Sequence, residues 1–225
     1  MSYIVLFLSV FIGAALVFFY KPNDKALRLL LAFSGAYLLA ITILHLLPEV
    51  YENTNSFERT GVFILFGIIL QFVLESFSKG IEHGHSHLKG QKGTFHLLFF
   101  GSLCLHAFLE GIPVENTDSS LLWAIAVHKL PIAIVLTTFF IQKELSKPVI
   151  ISAVFLFAAM SPLGTLLGSQ TEFMKDYMYD FSAIAIGIFL HISTIILFES
   201  SENHKFNIRK FLVIVLGFVM SFLSM

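Results

Sequence analysis

The sequence predicts an all-α membrane protein that crosses the bilayer eight times. Its 225 residues are 56% hydrophobic and only 13% charged, with a mean hydropathy of +0.84, which lies outside the range of soluble domains. Apolar runs close to the roughly 20 residues needed to cross a bilayer core recur along the chain. Basic residues are also divided unevenly between alternate loops. We therefore expect one transmembrane domain over residues 1–225, with a histidine-rich loop at 78–93 inside it.

The predicted spans follow one another with short polar connections. They cover residues 3–20, 27–48, 60–77, 94–112, 119–141, 148–169, 180–198 and 209–224. The connections carry typical turn and breaker residues, such as Lys-Pro-Asn-Asp at 21–24 and Lys-Pro at 147–148. The first span lacks a basic leader and a small-residue cleavage site, so we expect a retained helix rather than a signal peptide.

The distribution of lysine and arginine predicts the orientation. Of the fourteen basic residues, eleven lie in the loops after the odd-numbered spans or in the first two residues of the span that follows such a loop. Arg59 and Lys175 lie after even-numbered spans, and Lys129 lies within a span. Because cytoplasmic loops are enriched in basic residues, both termini are expected outside and the odd-numbered loops in the cytoplasm. The expected location is the plasma or inner membrane of the cell.

A short internal similarity suggests a repeat. Gly-Ala-Tyr-Leu from Gly35, with Thr42, matches Gly-Ile-Phe-Leu from Gly187, with Thr194, at identical offsets. These motifs lie in the second and seventh spans, which run in opposite directions. We therefore expect an inverted repeat of spans 1–3 and 6–8 around spans 4–5, as in many transporters.

Three side chains of the fourth and fifth spans predict a metal site. A charged residue near the bilayer centre costs roughly 3 kcal/mol, so Glu110 requires a functional explanation. His106 lies four residues before it, hence on the same helical face. At 1.5 Å per residue, His106 and His128 lie roughly 16 and 13 Å deep from opposite surfaces. Two imidazoles and a carboxylate suit Zn²⁺, Fe²⁺ or Mn²⁺. The alternative is a hydrogen-bonded cluster that joins helices.

Two further polar residues lie at similar depth. His191 in the seventh span is a candidate fourth ligand, or alternatively an interhelical hydrogen-bonding residue. Lys129, beside His128, would repel a bound cation. We expect it to pair with Glu110 when the site is empty and to limit the residence of the ion. The alternative is that it turns away from the site or snorkels.

Other residues mark a candidate pathway. His45 and Glu49 near the outer end of the second span form a candidate outer site, and Pro48 between them is expected to end the helix. Glu75 near the inner end of the third span and Ser161 beside a proline in the sixth are candidate pathway residues. The outer group could equally be an ordinary helix terminus.

The loop after the third span contains alternating histidines. His83, His85 and His87 are candidate ligands for an incoming metal ion on the cytoplasmic side. The alternative is a solvated loop without a binding role.

Together these motifs resemble the ZIP (Zrt/Irt-like protein) family of divalent metal transporters. The similarity rests on the eight spans, the histidine-rich loop and four motifs: His106-x-x-x-Glu110-Gly111, His128-Lys129, Ser161-Pro162-Leu163-Gly164 and Gly187-x-Phe189-Leu190. Ala107, Lys129, Ile132 and Ala133 replace the residues that build a second metal site in much of the family. The chain therefore resembles the branch with His-Lys in the fifth span. The resemblance implies uptake of Zn²⁺ or a similar ion by rocking of helix bundles, often in a homodimer.

The sequence thus predicts a metal importer that is not an enzyme. Zn²⁺ is the expected substrate, with Fe²⁺, Mn²⁺ and Cd²⁺ as further candidates, and no cofactor or nucleic acid is expected. A membrane-embedded zinc hydrolase with the same ligands is the alternative. A metal sensor without flux is a third possibility.

Overall fold

A computed structural model describes residues 1–20, 22–78, 93–116, 119–171, 176–198 and 207–224. The regular structure of these residues is helical throughout. In chain order the helices are α1 Ser2–Phe19, α2 Asp24–Asn53, α3 Phe57–Ser78, α4 Gly93–Gly111, α5 Ser119–Gln142, α6 Lys147–Gln170, α7 Met178–Phe198 and α8 Ile208–Leu223, with a short 3-10 turn at Val114–Asn116. Each predicted span coincides with one helix, so the all-α class is confirmed.

Six of the described helices are long and apolar enough to cross a membrane: α1, α2, α3, α5, α6 and α7. Backbone groups inside a bilayer must be satisfied within the segment, and long apolar helices achieve this. The apolar part of α4, Leu97–Gly111, and the 16 residues of α8 are shorter. The chain is thus a polytopic helical membrane protein, while a count of eight crossings stays a prediction.

The helices form two groups that each enclose an apolar core. In the first group α1, α4, α5 and α6 pack around buried side chains that include Phe99, Leu136 and Phe157. In the second group α2 packs against α7 and α8, and α3 packs against α7. Leu38 and Ile186 belong to this second core, which extends to the first half of α5.

Some of the neighbour relations have the symmetry that the predicted repeat requires, whereas the contacts of α2 with α5 and of α3 with α4 lack counterparts of similar extent. Helix α1 packs on α5 as α6 packs on α4, and α2 packs on α8 as α7 packs on α3. Exchanging the first three helices with the last three, and α4 with α5, converts one set of pairs into the other. An inverted repeat of spans 1–3 and 6–8 predicts this pattern.

Helix α2 corrects one sequence expectation. Pro48 does not end the helix, which continues to Asn53. Residues Thr42–Leu46 form a π-helical turn, in which the Leu47 amide donates to the Thr42 carbonyl. Pro48 then lies in the first turn after the π segment, where its missing N–H and its ring are tolerated. His45 and Glu49 therefore lie within one continuous helix rather than at a helix end.

Helices α3 and α7 run parallel in close contact. Arg59 pairs with Asp180 near their first turns, and Glu75 contacts His191 toward their other ends. Between these pairs, a Cβ atom on Gly67 would overlap the backbone carbonyl of α7 at Ile184. Only glycine permits this approach, in the manner of small-residue packing between membrane helices.

Candidate metal site

Helices α4 and α5 bring together His106, Glu110 and His128. One ligand atom from each side chain lies within 4.8 Å of the others, and in the described part of the chain no other three His, Cys, Asp or Glu residues do so. His106 Nε2 lies 3.3 Å from Glu110 Oε2. Two donors on one tetrahedral zinc ion are about 3.3 Å apart, so this pair is already spaced for a shared ion. The ligand atom of His128 lies within 4.8 Å of those of the other two residues.

The three side chains are closed off from the surface. Their exposed fractions are 1%, 0% and 1% for His106, Glu110 and His128. The imidazole rings of His106 and His128 lie 6.2 Å apart between centroids and are nearly perpendicular. The ring nitrogen Nδ1 of His106 has no hydrogen-bond partner among the described residues, and the contact of 3.3 Å between Nε2 and Glu110 Oε2 is long for a hydrogen bond. Because an unsatisfied buried polar atom is costly, these atoms favour an additional binding partner, such as a cation.

Lys129 supplies the charge that balances Glu110. Its Nζ atom lies 2.5 Å from Glu110 Oε1, and its side chain is 1% exposed. The ammonium also lies 5.0 Å from the centre of the Phe157 ring, a distance that allows a cation–π interaction. A buried charge requires a partner of opposite sign, and each of these two residues provides it for the other. Glu110 is the partner that the sequence led us to expect for Lys129.

Helix α6 holds the last turn of α4 in place. The Ser161 hydroxyl donates to the Ala107 carbonyl and lies 3.3 Å from Glu110 Oε1. One turn later, the Thr165 hydroxyl lies within hydrogen-bond distance of the Gly111 carbonyl, at 2.8 Å. Both hydroxyls thus fix the backbone on either side of Glu110. Whether Ser161 also lines a pathway stays a prediction.

The sequence reasoning missed two of these residues on α6. Phe157 and Thr165 lie four residues before and after Ser161, so all three share one helical face. This spacing of four residues was the signal that could have found them. The side chains of α6 that contact Lys129 and α4 all lie on this one face.

His191 does not join the three-residue group. Its Nε2 atom lies instead 2.6 Å from Glu75 Oε2, which connects α7 to α3. The depth estimate gave its level in the membrane, but not the direction in which its side chain points. Ligation of metal by His191 and a pathway role of Glu75 stay predictions.

The remaining candidates lie elsewhere. His45 and Glu49 are half-buried on α2 and are not part of the group. His83, His85 and His87 lie outside the described residues. The outer and inner metal contacts that the sequence suggested therefore stay predictions.

Similarity to known proteins is found at the level of a family. No curated protein matches the chain. The family model described as ZIP zinc transporter matches residues 1–96 and 79–225, which together span the whole sequence. Members of this family transport divalent metal ions, and a buried His/Glu/His group in a helical membrane bundle fits that activity. The chain belongs to the ZIP zinc transporter family.

Proposed function

We propose that this protein imports zinc into the cytoplasm by binding the ion between His106, Glu110 and His128. The observation that carries the proposal is the group of three ligand side chains buried inside a membrane bundle. Because the chain belongs to this family, we take transport of a divalent metal ion as its activity. The choice of zinc and the inward direction are the parts that we add.

The donor set supports zinc as the ion. Two imidazole nitrogens and one carboxylate are borderline ligands that suit Zn²⁺. They also accept Fe²⁺, Mn²⁺ and Cd²⁺, which we expect to compete. Lys129 contacts the carboxylate from the other side, so a second cation there would meet an ammonium group. We therefore propose one ion per site.

The ion pair between Lys129 and Glu110 suggests how the ion is released. An arriving Zn²⁺ binds the carboxylate oxygens of Glu110 and displaces the ammonium of Lys129. The ammonium then keeps its contact with the Phe157 ring. Two cations then lie near each other in a region of low dielectric, where their repulsion is strong. The repulsion limits the affinity, as a transport site requires, because the ion has to leave again.

The direction follows from the basic residues of the sequence. Their excess in the odd-numbered loops supports both termini outside and a cytoplasmic loop at 78–93. In this orientation His45 and Glu49 meet the ion first and Glu75 lies toward the inner side. His83, His85 and His87 would then accept the released ion. A homodimer stays a prediction from the family resemblance.

The hydrolase alternative receives no support from the fold or from the family. Its catalytic centre would need a substrate cavity around the metal. Here the three ligand side chains are 0–1% exposed and packed against Lys129 and α6.

Zinc uptake into proteoliposomes tests the proposal. Liposomes that contain a zinc-sensitive dye should brighten when the parent protein is present, and His106→Ala should reduce the initial rate at least tenfold. Ser102→Ala is the matched control, since this buried α4 hydroxyl donates to Phe99 of its own helix, at 2.8 Å. No zinc influx through the parent, or equal influx through His106→Ala, would reject the proposal.

A further inference from the structure

A second pair of metal-binding side chains lies on α3 and α7. Glu75 Oε2 and His191 Nε2 are 2.6 Å apart, and their side chains are 17% and 11% exposed. The three ligands on α4 and α5 are at most 1% exposed. The pair on α3 and α7 is therefore closer to the surface of the bundle than the first group.

Gln71 has a polar side chain on the same face of α3 as Glu75. It precedes Glu75 by four residues, which places both on one side of α3. Its side chain is completely buried, and neither its amide nitrogen nor its amide oxygen has a hydrogen-bond partner among the described residues. A buried amide without partners costs free energy, whereas a bound ion or its water ligands would satisfy it.

The helices that carry these residues are held in fixed register. Arg59 forms two hydrogen bonds to Asp180, of 3.0 and 2.5 Å. Both residues lie in the first turns of α3 and α7, away from the pair of Glu75 and His191. Gly67 lies between the two pairs, at the point where the backbones touch. Donor groups on such fixed elements are arranged before a ligand arrives, which reduces the entropy lost on binding.

The spacing of the pair fits the replacement of a hydrogen bond by a metal ion. At 2.6 Å, the imidazole nitrogen and the carboxylate oxygen are joined by one hydrogen bond. A metal ion takes the place of the bridging proton and accepts a lone pair from each atom, while the neutral imidazole carries its proton on Nδ1 instead. The two donors then separate to about 3.3 Å. A change of this size requires only side-chain rotation.

We infer that Glu75 and His191, with the amide oxygen of Gln71, form a second divalent-metal site that receives the ion from the site on α4 and α5. The inference rests on the proposed function. With one imidazole, one carboxylate and one amide, the second site holds the ion more weakly than the first. Its partial exposure suits release toward the inner side. The ion thereby passes from the helix group of α4 and α5 to that of α3 and α7.

Cobalt binding to the purified full-length protein tests the second site. The three loop histidines His83, His85 and His87 are first changed to Ser, so that they do not contribute. We expect two Co²⁺ per chain by equilibrium dialysis, each with visible d–d absorption. His191→Ala should leave one Co²⁺ and His106→Ala should also leave one. The double variant should leave none.

Two further variants separate ligation from packing. Glu75→Gln can still hydrogen-bond to the imidazole but removes the only anionic ligand of the proposed site, so this variant should bind one Co²⁺. Asp180→Asn weakens the contact with Arg59 between the same two helices, and this variant should still bind two Co²⁺. An unchanged stoichiometry in both His191→Ala and Glu75→Gln overturns the second site, even if the pH dependence of uptake changes. If only His106→Ala has no effect on Co²⁺ binding, the proposed function fails instead.

Discussion

The two polar regions of the bundle differ in how their charges are balanced. On α4 and α5, Glu110 is paired with Lys129 inside a closed group, so the negative charge is neutralised without a metal. On α3 and α7, Glu75 contacts His191 in a partly exposed position. We expect the ammonium of Lys129 to stabilise the first region and to limit its affinity for a metal ion. The second region pairs a carboxylate with an imidazole, and it is held by the packing of two helices.

The largest effect is expected from removing the carboxylate of the closed region. Glu110→Ala leaves the buried ammonium of Lys129 without its counter-charge, which typically costs about 3–5 kcal/mol. We expect a large drop in melting temperature in detergent and no zinc uptake. Removing both charges in Glu110→Gln/Lys129→Met should restore most of the stability but not the uptake. If Glu110→Ala melts like the parent, the charge balance is not structural.

A glycine substitution should disturb the second region alone. In Gly67→Ala, the new Cβ overlaps the backbone of α7, so the helices separate at a cost of about 1–3 kcal/mol. We expect the Co²⁺ bound by Glu75 and His191 to be lost, while the Co²⁺ at His106 stays. Gly101→Ala is the matched control, because a Cβ at that position meets no atom within 4 Å. Equal losses at both sites would show that the two regions are not independent.

Removing the ammonium of Lys129 tests how strongly its charge limits metal binding in the closed region. Lys129→Ala abolishes the repulsion in the closed region, so we expect zinc to bind about tenfold more tightly, which corresponds to about 1.4 kcal/mol. Turnover should slow because release becomes harder. Isothermal titration and dye-based uptake measure the two effects. Lys143→Ala, which removes an ammonium near the Phe139 ring, is the control. Unchanged affinity in Lys129→Ala would falsify the proposed role of the lysine.

The sequence predicted the elements of the first region because local rules determine them. Apolar length gave each helix to within a few residues, and the spacing of His106 and Glu110 placed both on one face of α4. Depth counting then brought His128 to the same level. These rules do not give the rotation of a helix about its axis, which directs His191 toward Glu75. They also do not reveal that a π turn before Pro48 lets α2 continue.

The smallest effect is expected from the hydroxyl that holds the last turn of α4. Ser161→Ala removes the hydrogen bond to the Ala107 carbonyl and the contact with Glu110, at a cost of about 1 kcal/mol. Because Lys129 still holds the carboxylate, zinc affinity should fall only a few fold, and binding at Glu75 and His191 should not change. Ser9→Ala on α1, whose hydroxyl donates to Leu6 of its own helix, is the control. A loss of zinc binding as complete as in His106→Ala would make Ser161 a ligand rather than a support, and the closed region would then include a third helix.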